Sequence, residues 1–502
     1  MKRGAITLYL CLILSILLSL VAAAVRSAEI SAGRVILSST VEQTLFSLFS
    51  EYDKELFDRY GLLFIDGGRG KSSLQLQRVL DSAENYADYI LHPEKGSSLS
   101  GRSPVQFQSC RTEILGYSLA TDGGGAAFSR QACTAMKDRI PAEAAAAAEE
   151  KFRTYEITEE NQKRNKDSYH TEKADDLLKK AEKSGISEED LKGIPTDTTA
   201  EDEEAAGKIH LAEDYGNPVD AASHARKLGL LSIAVPKGKT VSDASADGDD
   251  LPSARRLQRG VGVAQEAASG LPDKTLLLEY AGTFLPSFTD EKEGSGLRYQ
   301  MEYAVAGKSG DQENIKAVLA KLLLIREASN FAYLSSNKRK RAEALAAAEL
   351  ICAALAVPYL APAAAIAVRG AWAYGESILD LRELLSGGKI PLVKTDASWQ
   401  LSIASLPDFL SGADAERHSS DSGLDYEQYL KMLLSGKSTE ELTSAIMDMV
   451  EHTMRTDGEQ TGFRIDNCIA AINLEMSAVV EGSKMRRTQF YCYGGQLARG
   501  VS

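Results

Sequence analysis

The apolar positions of this chain form one uninterrupted run, followed by a long succession of periodic segments. Ala5 to Val25 carries no charge, with Lys2 and Arg3 before it and Arg26 and Glu29 after it. About twenty residues of helical rise cover the roughly 30 Å hydrocarbon core of a bilayer, so the run predicts a membrane-crossing helix. Beyond it, Leu37, Val41, Leu45, Leu48, Tyr52 and Leu56 recur at steps of four and three, which stripes one helix face. Unbroken from Ala5 to about Arg59, such a helix would be roughly 80 Å long. Gly33 is the expected place for a bend or break. The stripe either packs on the chain's own globular domain or joins neighbouring anchored helices in an assembly.

The later segments alternate between the two periods. Tyr60–Asp66 (YGLLFID) predicts a short strand closed by the Gly67-Gly68-Arg69-Gly70 turn, and Leu74–Leu91 an amphipathic helix. Val105–Ala120 alternates like strands, and Ala126 to about Ile194 reads as a long polar-surfaced helix seeded by Ala144–Ala148. Thr196–Gly207, with Glu201-Asp202-Glu203-Glu204, has almost no large apolar residue and predicts a disordered linker. Val241–Pro252 predicts a second linker, and between them Gly229–Pro236 (GLLSIAVP) reads as a buried strand. Helices follow at Thr275–Phe288, Ile315–Tyr333, Trp372–Ser386, Tyr426–Leu434 and Glu440–Arg455. Strands are expected at Lys389–Lys394, Trp399–Ile403, Gly462–Val480 and Lys484–Tyr493, the last two forming a hairpin that turns near Gly482. The pattern predicts an α+β fold in which a transmembrane helix and its helical extension lead into a mixed helix and antiparallel-sheet region. Its expected divisions are an anchor and stalk over 1–60, a first α+β segment over 61–195, acidic linkers over 196–252, and a C-terminal α+β domain over 253–502.

A second apolar run, Leu350–Val368 (LICAALAVPYLAPAAAIAV), has to be weighed as another span. It is rich in alanine, contains Pro358 and Pro362, and follows the basic cluster Lys338-Arg339-Lys340-Arg341. Those prolines predict core helices interrupted in the middle, and the cluster would lie on the wrong side for a second crossing. Ala5–Val25 is then the single membrane element, and the bilayer is its partner. Lys2 and Arg3 place the N-terminus in the cytoplasm and the bulk of the chain outside it. The run itself admits three fates. It is long for a cleaved signal peptide, although Ala22-Ala23-Ala24 supplies a cleavage site. It fits an uncleaved anchor. It also has Gly4 where a pilin-type leader is cut, but Tyr9 stands where an acidic residue is expected.

Composition narrows the function classes. The net charge of −14 gives no nucleic-acid footprint, and the basic cluster reads as a solvated helix end. One of the six cysteines, Cys11, lies in the anchor, and the five others are an odd number and a poor disulfide framework for 502 residues. Three GKS triplets occur, but the glycine a phosphate loop needs five positions earlier is Ile65, Glu302 or Lys431. Gly260-Val261-Gly262 lacks the third glycine of a dinucleotide fold, Gln265 standing there. No pair among His92, His170, His210, His224, His418 and His452 has zinc-hydrolase spacing. Cys352 sits in an apolar helix as an inert core thiol. Glu376 and Asp380, near Arg382 and Glu383, share one helix face, and Asn314, Arg326, Glu327 and Asn330 form a second polar group on another helix. Both groups read as structural polar networks. No catalytic, cofactor-binding or metal-binding residue is assigned, and the chain is expected not to be an enzyme.

Several stretches together resemble one family: Gly4-Ala5-Ile6-Thr7 at the apolar helix, Asn217-Pro218-Val219-Asp220 with GLLSIAVP, and Tyr299 to Lys308 (YQMEYAVAGK). Leu324-Ile325-Arg326-Glu327, Trp372 to Asp380 (WAYGESILD), Gly387 to Lys394 (GGKIPLVK) and Gly423 to Leu430 (GLDYEQYL) extend the likeness over most of the chain. These resemble a domain-of-unknown-function family of membrane-anchored Gram-positive proteins linked to the tight-adherence (Tad/Flp, type IV-like) pilus locus. The N-terminal part is similar to the TadE/TadG pseudopilins. The resemblance implies a single-pass extracytoplasmic accessory protein of a pilus or secretion assembly, with other membrane proteins of that assembly as partners and no catalytic residues. The alternative is a standalone surface adhesin or sensor that binds an envelope or host ligand.

Overall fold

The computed structural model describes residues 2–92, 105–140, 150, 197–212, 215–263, 271–292, 294, 296–412, 423–458 and 460–493. Its helices and antiparallel sheet make an α+β fold, and the chain divides into two compact units. Unit 1 comprises Met1–Ile140, Asp249–Leu277 and Thr439–Ser502, and unit 2 comprises Pro141–Gly248 and Leu278–Ser438. In chain order the elements of the first stretch are α1 (Lys2–Phe49), α2 (Lys54–Tyr60), β1 (Ile65–Asp66), α3 (Leu76–Leu91), β2 (Ser109–Leu119) and α4 (Asp122–Arg139). Then follow α5 (Ala200–Ala206), α6 (Pro218–Leu228), α7 (Leu230–Ala234), α8 (Leu271–Phe284), α9 (Gln300–Ala306) and α10 (Asp311–Ser336). The last are α11 (Lys338–Ala354), α12 (Ala361–Leu385), α13 (Leu406–Leu410), α14 (Tyr426–Ser435), α15 (Thr439–Thr456), β3 (Cys468–Val480) and β4 (Ser483–Cys492).

Unit 1 is organised by α1, a single helix of 48 residues and roughly 70 Å. Its described side chains from Leu8 to Val25 are all exposed, and among the described residues it is the one helix long and apolar enough to cross a membrane. Its second half turns Leu37, Val41, Leu45 and Leu48 into a core shared with Val79, Ile472, Leu474 and Met476. The stripe therefore packs on the chain's own domain. Gly33 is not a break. A Cβ there would stand 3.2 Å from Val480 Cγ2 and 3.3 Å from Met485 Cε, so the glycine lets the helix lie close against the hairpin. The break comes at Ser50–Asp53, where Asp53 accepts from Leu56 N (2.9 Å) and caps α2.

The sheet is built around β3, with β2 antiparallel along one edge and β4 and the short β1 also paired to it. Alternation along β3 buries Ile472, Leu474, Met476, Ala478 and Val480 while Asn473, Glu475, Ser477 and Val479 stay half-buried. Glu481 and Gly482 both have positive φ (47° and 72°), as a two-residue hairpin turn of right-handed twist requires. Residues 249–277 belong to this unit through Arg255. Its guanidinium pairs with both Glu451 oxygens (2.8 Å each) and with Asp466 (2.5 Å), while Asp250 pairs with Arg455 and Arg464 (2.6 Å each).

Unit 2 is helical, centred on α12, which is buried along almost its whole length. Leu350–Val368 resolves into the end of α11, a 3₁₀ turn at Pro358–Leu360 and the start of α12, and most of its side chains lie in the unit's core. Several expected elements differ. GLLSIAVP is not a strand: Leu230–Ala234 is helical, because a short apolar run buries equally well in either form. Of the linker expected at Thr196–Gly207, the described residues 197–207 are ordered instead, and α5 has a Thr199–Asp202 capping box. Its acids meet the basic cluster: Lys338 pairs with Glu201 (2.7 Å), and Arg341 donates to both Asp202 oxygens (3.2 Å each). Lys389–Lys394 and Trp399–Ile403 are not strands either, apart from one bridge between Ile390 and Leu424. Side chains satisfy their carbonyls instead, Arg326 donating to Pro391 and Leu392 and Trp372 to Leu401. Val241–Pro252 is tied down in part, with Ala246 N donating to Ser309 O (2.8 Å) and Asp311 N to Ala244 O (2.9 Å). Of the long helix expected from Ala126, α4 accounts for the residues to Arg139, and Ala144–Ala148 lie outside the described residues.

The close approach at Gly33 gives a direct test. Gly33→Val drives a branched side chain into Val480 and Met485, and it should destabilise unit 1 by about 1–3 kcal/mol despite its neutral effect on helix continuity. Urea unfolding of the detergent-solubilised chain, followed by circular dichroism, measures this. An unchanged midpoint would contradict the packing described.

Candidate functional site: a buried charge network

The most concentrated chemistry among the described residues lies inside unit 2, where α10 faces α12. Arg326 and Asn330 are four residues apart on α10, and Glu376 and Asp380 are four apart on α12, so each pair lies on one face of its helix. Packing brings the two faces together. Arg326 Nε donates to Asp380 Oδ2 (3.0 Å), and Asn330 Nδ2 donates to Asp380 Oδ2 (3.1 Å) and Ser377 Oγ (2.9 Å). Lys394, from the loop after α12, completes the group, with Nζ 2.6 Å from Glu376 Oε1 and 2.7 Å from Asp380 Oδ1. Arg326 Nη1 also donates to Tyr429 OH (3.2 Å) on α14.

Two cations therefore face two carboxylates, all at most 1% exposed at the side chain. The remaining valences are filled by backbone. Lys394 donates to Ser398 O (3.0 Å), and Glu376 accepts from Gln400 N (3.1 Å) and Leu401 N (2.8 Å). Burial pushes the Asp380 carboxyl up, but Arg326 and Lys394 outweigh it and hold the group below its ordinary value. For Glu376 burial prevails over Lys394, and its carboxyl is raised. The group ties α10, α12, α14 and the 389–401 loop to one another. Closed to solvent and matched in charge, it holds these elements to one another.

The sequence separated what the structure joins. The Glu376–Asp380 and Arg326–Asn330 groups are one network, whereas Asn314 brackets the Lys308 backbone (2.8 Å at both N and O) and Glu327 pairs with Arg226 (2.6 Å). Arg382 donates to Ile233 O (2.7 Å), outside the network. Lys394 carried no local signal, since only the fold brings it to Glu376. The first GKS triplet lies in a turn whose amides are already taken: Asp66 accepts from Gly68 N and Gly70 N, 2.8 Å each, where a phosphate loop would leave them open. The Cys352 thiol is pushed up to about 11 by burial, which keeps it protonated, and none of the six cysteines is disulfide-bonded. In the hairpin, Cys492 lies opposite Ala471, away from Cys468. Among the described residues no group of three or more His, Cys, Asp or Glu side chains is arranged to hold a metal ion.

A second buried acid in unit 2 has no cation paired with it among the described residues. Glu302 on α9 accepts at Oε1 from Phe288 N (2.9 Å) and Tyr426 OH (3.0 Å), while its Oε2 has no hydrogen-bond partner among them. Burial pushes this carboxyl up to about 7.

Both groups make predictions. Arg326→Met leaves Asp380 short of a counter-charge and should cost roughly 3–5 kcal/mol of unfolding free energy, part of which Arg326→Met with Asp380→Leu recovers. Equal losses in the single and double variants, measured by chemical denaturation, would contradict the coupling. For Glu302, the folded carboxyl titrates above the unfolded one. Its protonated form therefore stabilises the fold fully below the unfolded value, and that contribution fades as pH rises through about 7. The gap corresponds to about 3 kcal/mol, so unfolding midpoints should fall from pH 5 to pH 8 and Glu302→Gln should flatten that slope.

Comparison with known proteins bears on the same region. No curated protein and no solved structure matches the chain. A family model described as a family of unknown function (DUF5702) matches residues 210–480, more than half of the 502 residues. That span contains the whole Arg326–Glu376–Asp380–Lys394 network and Glu302. The chain belongs to this family of unknown function, DUF5702.

Proposed function

We propose that the protein is a non-catalytic, membrane-anchored accessory subunit of a tight-adherence-type pilus or secretion assembly in a Gram-positive envelope. Its N-terminus is in the cytoplasm, Ala5–Val25 crosses the membrane, and the rest of unit 1 and all of unit 2 lie on the outer side. The observation that carries this reading is the division of α1, whose apolar first half is exposed at every described side chain from Leu8 to Val25 while its second half joins the core of unit 1. One rigid helix thus couples a lipid-soluble segment to a folded domain, leaving Ala5–Val25 free to contact lipid or the corresponding helices of neighbouring subunits. The resemblance of the opening residues to TadE/TadG pseudopilins supports the same reading. Lys2 and Arg3 supply the orientation. The sealed, charge-matched network supports a structural role over a catalytic one.

The own-domain packing of Leu37, Val41, Leu45 and Leu48 sharpens the proposal, because those residues are spent within the subunit. Contacts with partner subunits then fall to the apolar run and to the outward side of α1, where Val35 and Phe46 are exposed.

Immunogold labelling of isolated filaments should place the protein on or at the base of the pili, and deleting its gene should reduce piliation. Labelling confined to the cell body, with piliation unchanged in the deletion strain, would favour a standalone surface binder instead. Mass spectrometry of the mature N-terminus distinguishes an intact Lys2 end from cleavage before Ala5 or near Val25.

A further inference from the structure

The point where α1 leaves its apolar run is in contact with the sheet. Arg26, the first charged residue after Val25, donates from Nη2 to the carbonyl of Glu481 (2.6 Å) at the β3–β4 turn. Seven residues on, Gly33 packs on Val480 and Met485, and at the far end Phe49 stands 4.7 Å from Tyr491 and 4.9 Å from Tyr493 between ring centroids. From Gly33 to Phe49 the helix rises about 24 Å. From Met485 to Tyr491 and Tyr493 the strand advances roughly 20–26 Å. Helix and strand therefore run side by side in the same direction, and the hairpin turn sits at the end of unit 1 where the apolar run begins.

This end is also basic in a chain whose net charge is −14. Arg26, Arg34, Lys484, Arg486 and Arg487 are all exposed, against an exposed Glu481, a half-buried Glu29, and the exposed Glu84 and Asp88 near Cys110, which pairs with Ala478. Arg486 is held at 3.2 Å by Glu475, which leaves Arg26, Arg34, Lys484 and Arg487 as the cationic surface beside the turn. Lys484 is two residues from Gly482, roughly 7 Å along the strand, and the headgroup layer on each side of a bilayer is about 5–8 Å deep.

We propose that the β3–β4 turn is a second membrane contact, in which Arg26 and Lys484 meet the anionic headgroups of the bilayer that α1 crosses, while Arg34 and Arg487, farther from it, add longer-range attraction. This rests on the reading of Ala5–Val25 as a span. The contact holds unit 1 with β3 and β4 upright on the membrane, so the turn lies in the headgroup layer and the opposite end of the sheet in water.

The test uses the full-length chain in liposomes, with the exposed thiols Cys11 and Cys110 changed to alanine and a nitroxide placed at Ser483→Cys or, as a control farther along β4, at Thr488→Cys. Flotation and resistance to alkaline extraction report the span, and collision with an aqueous nickel chelate reports the turn. In vesicles containing roughly one-third phosphatidylglycerol, nickel access at 483 should fall about fivefold below that at 488. High salt, pure phosphatidylcholine or Lys484→Glu with Arg487→Glu should remove most of that difference. Equal access at 483 and 488 in a chain that still floats would overturn this proposal alone. Protection that is the same in neutral vesicles would overturn recognition by charge. A chain that does not float would overturn the span itself, and this contact with it.

Discussion

An α-helix closes its backbone hydrogen bonds within itself, and so it can pass from lipid to water without stranding an N–H or C=O. Helix α1 uses this property over its whole length, and the geometry of unit 1 follows from it. Since the helix does not bend at Gly33, the sheet has to come to the helix. The hairpin runs alongside it from the Arg26–Glu481 contact to the aromatic cluster of Phe49, Tyr491 and Tyr493. The end of the helix is closed by the same strand, because Tyr493 OH donates to the Phe49 carbonyl, one of those left without an intrahelical partner. A flexible stalk would have left the domain free to tumble. A continuous helix packed along two strands does not.

Unit 2 solves a different problem, how to keep irregular chain buried. Residues 389–403 have little regular structure, yet Ile390, Lys394, Leu401 and Ile403 are buried, and their backbone groups need partners away from water. Arg326, Glu376 and Trp372 provide those partners from the helices. The charges that make this possible are expensive to desolvate, which explains why they come as two cations and two carboxylates with their remaining valences filled. The network and the loop therefore depend on each other. Without the loop, Lys394 would be lost and Glu376 would be a buried anion. Without the network, the loop carbonyls would be unsatisfied.

The same coupling explains how much could be read in advance. Elements with long, regular patterns were legible: the apolar run, the Leu37–Leu48 stripe, α3, α10, α14, α15 and the final hairpin all appear in the order that periodicity predicts. The interruption of Leu350–Val368 followed from two prolines. What was not legible depends on partners distant in sequence. Glu201 and Asp202 look like a solvated acidic tract until Lys338 and Arg341, more than a hundred residues away, are placed beside them. Gly33 looks like a helix breaker until Val480 and Met485 are known to require the space. Two of the polar groups that form the network were visible as faces of separate helices. That they belong together, and that Lys394 completes them, is a property of packing alone.

The burial of the stripe also bears on the assembly proposed for this protein. In a bundle of anchored helices, association relies on whatever side chains remain free, and here the regular heptad-like positions beyond the membrane are consumed by the chain's own sheet. The outward side of α1 beyond the bilayer is mostly small or polar, with Ser31 before Val35 and Ser38, Ser39, Glu42 and Gln43 between Val35 and Phe46. Such a surface lets helices approach without a strong apolar drive, so the lipid-facing run has to supply most of the association energy. Within that run Tyr9 replaces the buried acid of pilin-type helices, and with it a charge that would need a partner in a neighbouring chain. In the proposed assembly, such a helix is better suited to sit beside one of different sequence, as an accessory position does, than to propagate a filament of its own.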